Sequence, residues 1–124
     1  SPPGVLAGAM RYHGVAPIVS SLFKENYIEA IAHGQIESYS AGLIFTRAEG
    51  IVLSPHAMYT VKEVIEQALR CKETGSDDTI LFTVTPAVST ESSPYDSLLD
   101  GVLNNEKIEE ASLKKSLGRF IGRG

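Results

Sequence analysis

The chain has 124 residues, of which 43% are hydrophobic and 21% charged, with a formal net charge of −4. This composition is ordinary for one globular domain, and the negative charge argues against nucleic acid or an anionic membrane as a partner. No apolar run approaches the roughly 20 residues that span a bilayer. The single cysteine, Cys71, excludes an internal disulfide and favours a reducing compartment, so we expect a cytoplasmic protein.

The first elements in chain order are a lead-in, a helix and a strand. Residues 1–9 are rich in proline and glycine and predict an irregular lead-in. Pro17 suits the first turn of a helix, and Asn26 suits the left-handed position that follows a helix. Residues 27–32 alternate between apolar and polar side chains and predict a strand.

The middle of the chain predicts a second helix and a short buried strand. Apolar residues recur at helical spacing from Ile36 onward, and Gly50 closes that helix. Gly42 lies in the helix interior, where glycine costs up to about 1 kcal/mol relative to alanine, so we expect close packing there. Residues 51–53 then predict a buried strand.

A third helix and a central strand follow. Ser54 suits the N-cap, where its hydroxyl accepts an unpaired backbone N–H, and Pro55 suits the first helical position. Gly75 ends this helix. Residues 79–85 are apolar or β-branched throughout, which predicts a parallel strand buried on both faces. Because ligands bind beyond the carboxyl ends of such strands, we expect Thr85 at the edge of any site.

Two more helices complete the pattern, one beginning at Ser93 and one over residues 106–121. The alternation predicts a single α/β domain over residues 1–124, with three αβα layers around a small, mostly parallel sheet. Three strands are few for such a sheet. We therefore expect it to continue in a partner or in sequence outside this chain.

No catalytic signature stands alone in the sequence. A glycine-rich phosphate loop with a following lysine is absent, as is a nucleophile elbow. The spacing of His13, His33 and His56, among themselves and with Cys71, is not that of metal ligands, so no metal site is predicted.

Three features leave a functional and a structural interpretation open. Residues 11–14 place three functional side chains before a helix, where a solvated or capping role is the alternative. Glu49 opposes the dipole at a helix C-terminus, which indicates either a compensating partner or simple exposure. Thr85 either borders a site or only ends its strand.

Five segments, in order and at consistent spacing, resemble tryptophan synthase β chains of the second, alternative type. They are residues 10–17 (MRYHGVAP, against LRYHGVAP in the family), 27–32 (YIEAIA, against YIEAVA), 45–52 (FTRAEGIV, against FARAEGII), 65–73 (IEQALRCKE, against IDEALKCKE) and 80–82 (ILF in both). The resemblance spans roughly residues 2 to 85. It implies a C-terminal segment of a fold-type II pyridoxal phosphate enzyme that joins L-serine and indole into L-tryptophan.

The resemblance also implies roles for particular residues. Glu49 matches a glutamate close to the cofactor ring, and Thr85 matches a serine whose hydroxyl contacts the pyridine nitrogen. Pro86 stands where the family has a glycine that closely approaches the ring. A loop near the substrate side of the site corresponds to Arg11, Tyr12, His13 and Gly14.

The departures from the family concern catalysis. After Thr85 the family continues Gly-His-Gly-His-Phe-Asp, whereas this chain differs throughout residues 86–94. In the family, the Schiff-base lysine and the glycine-rich phosphate loop precede the matched region. We therefore expect the chain to be inactive alone and to associate with the missing N-terminal part of the enzyme, a second chain or a further copy of itself.

The sequence leaves two other functions open. One is a non-catalytic α/β association domain derived from the same family. The other, a generic nucleotide-binding domain, lacks the support of a phosphate loop.

Overall fold

The computed structural model describes residues 7, 10, 15–87, 93–101 and 105. This part of the chain contains four α-helices. They are α1 (Pro17–Lys24), α2 (Gln35–Glu49), α3 (Pro55–Thr74) and α4 (Ser93–Leu99).

All four helices were predicted, and their local signals explain them. Pro17 and Pro55 occupy the first helical positions of α1 and α3. Asn26, just beyond α1, has a φ of 60°, as predicted for a left-handed residue after a helix. The predicted tail helix over residues 106–121 lies outside the described residues, as does the lead-in over residues 1–9 except for Ala7.

The predicted three-layer α/β fold with a mostly parallel sheet is wrong, because the described ranges are helical and contain no strand. Residues 27–32 are exposed and lie outside any regular element. Of the other two predicted strands, residues 51–53 form only an isolated antiparallel bridge among the described residues. It joins Leu53 to Pro86, one residue beyond the predicted strand over residues 79–85. A parallel ladder requires a neighbouring strand that runs in the same direction, and the part of the chain seen here supplies none.

Residues 79–85 are buried on one face only, which corrects the prediction of a strand buried on both faces. Ile80, Phe82 and Val84 are half-buried, whereas Leu81 is 95% exposed. Phe82 and Val84 pack against the core, and the Phe82 ring meets Phe45 of α2 edge to face at 6.3 Å between centroids. The core therefore covers one side of this segment and leaves the alternate side chains outside.

The core lies between α2 and α3. Its buried apolar side chains are Tyr39, Ala41, Leu53, Ala57, Met58 and Val61, none more than 5% exposed. The Tyr39 ring also packs edge to face against Tyr59, at 6.0 Å between centroids. The helices in the described ranges lack the continuous apolar length that a bilayer span requires.

Helices α2 and α3 approach each other closely at Gly42. A Cβ placed on Gly42 would lie 2.5 Å from Cγ and 2.9 Å from Sδ of Met58, a side chain with no exposed surface. The predicted close packing at Gly42 is confirmed, since no side chain fits between the helices at this point.

Gly42→Ala should destabilise the protein by about 1 to 2 kcal/mol. Overpacking a core costs about 1 to 3 kcal/mol, and the better helix propensity of alanine returns up to about 1 kcal/mol. Urea unfolding followed by circular dichroism measures the change. Ser40→Ala on the exposed face of the same helix is the control and should change stability by less than about 0.5 kcal/mol. Equal effects of the two substitutions would contradict the close packing.

The N-terminus of α2 is capped by a residue distant in sequence. Gly34, at the N-cap, has no side chain to offer. The Asn105 Oδ1 accepts the Ile36 N–H at 3.0 Å, while its Nδ2 donates to both carboxylate oxygens of Glu37 at 2.8 and 3.0 Å. The hydrogen bond from Asn105 lowers the pKa of Glu37 by favouring its charged form.

Asn105→Ala should raise the pKa of Glu37 toward its ordinary value, because the largest cause of its depression is removed. A lowered pKa in the folded state stabilises the protein above the unfolded-state pKa, and this stabilisation is lost as the pH falls through the folded value. NMR titration of the Glu37 side-chain carboxyl carbon measures the shift. The Glu66 carboxyl on α3 is the internal control, and an unchanged Glu37 titration would contradict the cap.

Candidate functional site

The end of α2 directs the chain into the candidate site. Gly50 follows Glu49 with a φ of 71°, and its N–H donates to the Thr46 carbonyl at 2.9 Å. No atom lies within 4 Å of the position where a Cβ would stand. The left-handed backbone, rather than space, therefore requires glycine at this position.

The Leu53–Pro86 bridge joins two short segments, residues 51–54 and 85–87, which together we call the junction. Its two segments run antiparallel: the Ser54 N–H donates to the Thr85 carbonyl at 2.9 Å, and the Ala87 N–H donates to the Val52 carbonyl at 2.8 Å. From α4, the Tyr95 hydroxyl donates to the Leu53 carbonyl at 2.6 Å. Hydrogen bonds between its two segments, and one from α4, therefore hold the junction in place.

Pro86 occupies a junction position where a proline costs no hydrogen bond of the bridge. It faces Leu53, and the hydrogen bonds on either side are made by neighbouring residues. Its outer edge therefore presents no N–H donor. The resemblance places a closely approaching glycine backbone at this position, so a bound group would meet the proline ring instead.

The candidate cofactor residues lie on or beside the junction. Glu49, Thr85 and Pro86 are all exposed. The antiparallel register sets Thr85 opposite Ser54, whereas Glu49 precedes the junction at the end of α2. The structure thus brings Thr85 and Pro86 to the segment that follows Glu49. The four candidates on the substrate side, residues 11–14, lie outside the described residues.

The sequence did not predict a polar pair at the junction, formed by the buried Ser54 and the partly buried His56. Ser54 is the N-cap residue of α3, as predicted, but its hydroxyl makes no cap hydrogen bond. Instead its Oγ lies 3.2 Å from the His56 Nε2. Ser54 is fully buried, so it is closed to a substrate. The only sequence signal for this pair is His56 itself, a polar residue two positions after the expected cap.

The Ser54–His56 pair contains an unusual buried atom. The Nδ1 of His56 is buried without a hydrogen-bond partner among the described residues. An unpaired buried polar group costs about 1 to 3 kcal/mol. The hydroxyl of Ser54 therefore supplies the hydrogen bond of the other ring nitrogen of His56, Nε2.

Ser54→Ala should destabilise the protein by about 1 to 3 kcal/mol, because it leaves His56 with a second unsatisfied ring nitrogen. Thermal and urea unfolding of the variant measure the loss. Ser20→Ala on exposed α1 is the matched control and should be close to neutral. If Ser54→Ala were as stable as that control, the hydrogen bond to His56 would contribute nothing.

Sequence comparison identifies relatives of this chain. It is 41% identical over 104 residues to tryptophan synthase beta chain 2 of Aquifex aeolicus, a match over 84% of this chain and 24% of that protein. It is 39% identical over 102 residues to tryptophan synthase beta chain 2 of Methanosarcina acetivorans, a match over 82% of this chain and 23% of that protein. It is 36% identical over 108 residues to the tryptophan synthase beta chain of Thermococcus onnurineus, a match over 87% of this chain and 24% of that protein.

The matches define both the relationship and its extent. The sequence matches no model of a known protein family. The chain spans about a quarter of the length of the curated relatives it matches. These similarities confirm the resemblance seen in the sequence segments. The chain is therefore a homologue of the tryptophan synthase β chains and corresponds to a segment of such a chain.

Proposed function

We propose that this chain supplies the cofactor-ring side of a tryptophan synthase β-chain-like enzyme, which converts L-serine and indole into L-tryptophan with pyridoxal phosphate. The observation that carries the proposal is the 41% identity over 84% of the chain, a match that leaves most of the relative's length unaccounted for. Pyridoxal phosphate, when bound, supplies the electron sink for this chemistry. The residues of this chain position the ring.

Thr85 is the residue best suited to the ring nitrogen. Its carbonyl is anchored by the Ser54 N–H at 2.9 Å, and its side chain is exposed, so its hydroxyl is free to meet a bound group. A hydroxyl is a neutral partner that both donates and accepts. It therefore holds the ring nitrogen without placing a charge beside it, which favours β-elimination and replacement over transamination.

Glu49 and Pro86 complete the proposed ring side. Glu49 is exposed at the end of α2, and the left-handed Gly50 behind it sets the direction in which the chain leaves the helix. Its carboxylate would lie beside the ring. Pro86 offers an apolar ring contact without a donor, so the binding is expected to rely on Thr85 for the polar contact.

The apolar surface at and after α1 supports association with the remainder of such an enzyme. Helix α1 buries no residue, and Ile18 is 71%, Phe23 53% and Tyr27 78% exposed. Large apolar side chains that are exposed together mark interaction surfaces. We propose that the rest of a β chain, or a further copy of this chain in an oligomer, covers them. The single cysteine supports a cytoplasmic location.

A chimera tests this proposal. The matched 104-residue segment of the Aquifex aeolicus relative is replaced by the corresponding residues of this chain. The chimera should form tryptophan from serine and indole. Thr85→Val in the chimera should lower kcat by roughly tenfold or more, because a hydrogen bond to the ring is lost, whereas Thr85→Ser should retain activity.

Controls separate the ring contacts from general damage to the fold. Glu49→Gln should lower activity, whereas Glu25→Gln, at the end of α1, should not. The unmodified 124-residue chain should be inactive by itself. A chimera that folds, as judged by circular dichroism and size exclusion, but forms no tryptophan would overturn the proposal in favour of a non-catalytic association domain.

A further inference from the structure

Three potential metal ligands converge away from the junction, in what we call the His33 cluster. The cluster consists of His33, Glu63 and Glu66, whose ligand atoms all lie within 4.8 Å of one another. His33 lies on the segment that precedes α2, whereas Glu63 and Glu66 are three residues apart on α3. Residues at this spacing share one face of a helix, so α3 presents both carboxylates on the side that His33 approaches.

Neighbouring side chains on α3 contact both carboxylates of the cluster. The Nε2 of His33 lies 2.8 Å from Oε2 of Glu63, and the two side chains are 10% and 22% exposed. The amide of Gln67 donates to the other oxygen of Glu63 at 2.5 Å. The Nζ of Lys62 lies 2.6 Å from Oε1 of Glu66. Glu63 is therefore held toward His33, and Glu66 has one oxygen engaged by a lysine.

Both carboxylates favour the charged form. The hydrogen bond from Gln67 lowers the pKa of Glu63, and the hydrogen bond from Lys62 lowers the pKa of Glu66. The neighbouring charge of Glu63 acts in the opposite sense on Glu66. The geometry of the cluster places two carboxylates and one imidazole together, and both kinds of group are ligands for divalent metal ions.

We propose that the His33 cluster binds a divalent transition-metal ion, best represented by Zn²⁺, through His33 Nε2 and one oxygen each from Glu63 and Glu66. Zinc bonds to nitrogen and oxygen ligands are about 2.0 to 2.2 Å long, so two ligands of one ion lie at most about 4.4 Å apart. The Glu66 side chain is 38% exposed, so it has room to rotate toward the other two ligands. Water fills the remaining coordination.

The chemistry of the set favours zinc over magnesium or calcium. Imidazole is a ligand for zinc and similar ions, whereas magnesium and calcium prefer sites made only of oxygen ligands. The ion replaces the direct contact between His33 and Glu63 and displaces Lys62 from Glu66. It also links the segment before α2 to α3, so binding stabilises the folded chain.

Isothermal titration calorimetry of the full 124-residue chain with ZnCl₂ tests the site. One saturable site is expected, together with a rise in Tm on addition of zinc. His33→Gln keeps a hydrogen-bond donor to Glu63 but removes the imidazole, and Glu66→Gln removes a carboxylate without changing its shape. Each should weaken zinc binding by at least tenfold.

Glu73→Gln, an exposed position in the last turn of the same helix, is the matched control and should bind zinc as the unmodified chain does. Circular dichroism without zinc should show that all variants fold. Loss of binding in both cluster variants but not in the control supports the site. Saturable binding of equal strength in His33→Gln and in the unmodified chain, or no saturable binding in either, overturns it.

Discussion

The close approach of α2 to α3 at Gly42 is the constraint on which the rest of the structure depends. With no side chain at this position, the buried Met58 of α3 fits directly against the backbone of α2. The two helices are joined only by residues 50–54, and Gly50 makes the turn out of α2. Helices this close, with so short a connection, leave the connecting segment little choice of path. That path forms one side of the junction.

The junction shows how the backbone of the connection is satisfied without a sheet. Buried backbone groups require partners, and the connection finds them in residues 85–87 and in the Tyr95 hydroxyl. Beyond the junction, the chain leaves apolar surface uncovered, as at Leu81 and along α1. An eight-residue helix that buries no side chain gains little stability from packing. The chain is about a quarter as long as its relatives, and these are the surfaces that we propose the rest of a β chain or a further copy covers.

The helices were predictable and the strands were not, for a physical reason. The ends of a helix depend on nearby residues. Pro17 begins α1, and Gly50 and Gly75 end α2 and α3. A strand depends on a partner that may be distant in sequence, and residues 79–85 meet only a brief antiparallel partner in the described chain. Ser54 is the N-cap residue as predicted, but its hydroxyl lies 3.2 Å from His56 Nε2 and makes no cap hydrogen bond.

The sequence by itself determined where α1 and α3 begin, where α2 and α3 end, the close packing at Gly42 and the relationship to tryptophan synthase β chains. These features depend on nearby residues or on the order of residues along the chain. Tertiary structure decided which distant groups meet. It set Thr85 opposite Ser54, placed Asn105 on the start of α2 and brought His33 to Glu63 across 30 residues. Such contacts follow from how helices pack and how segments align in register, and no spacing along the chain encodes them directly.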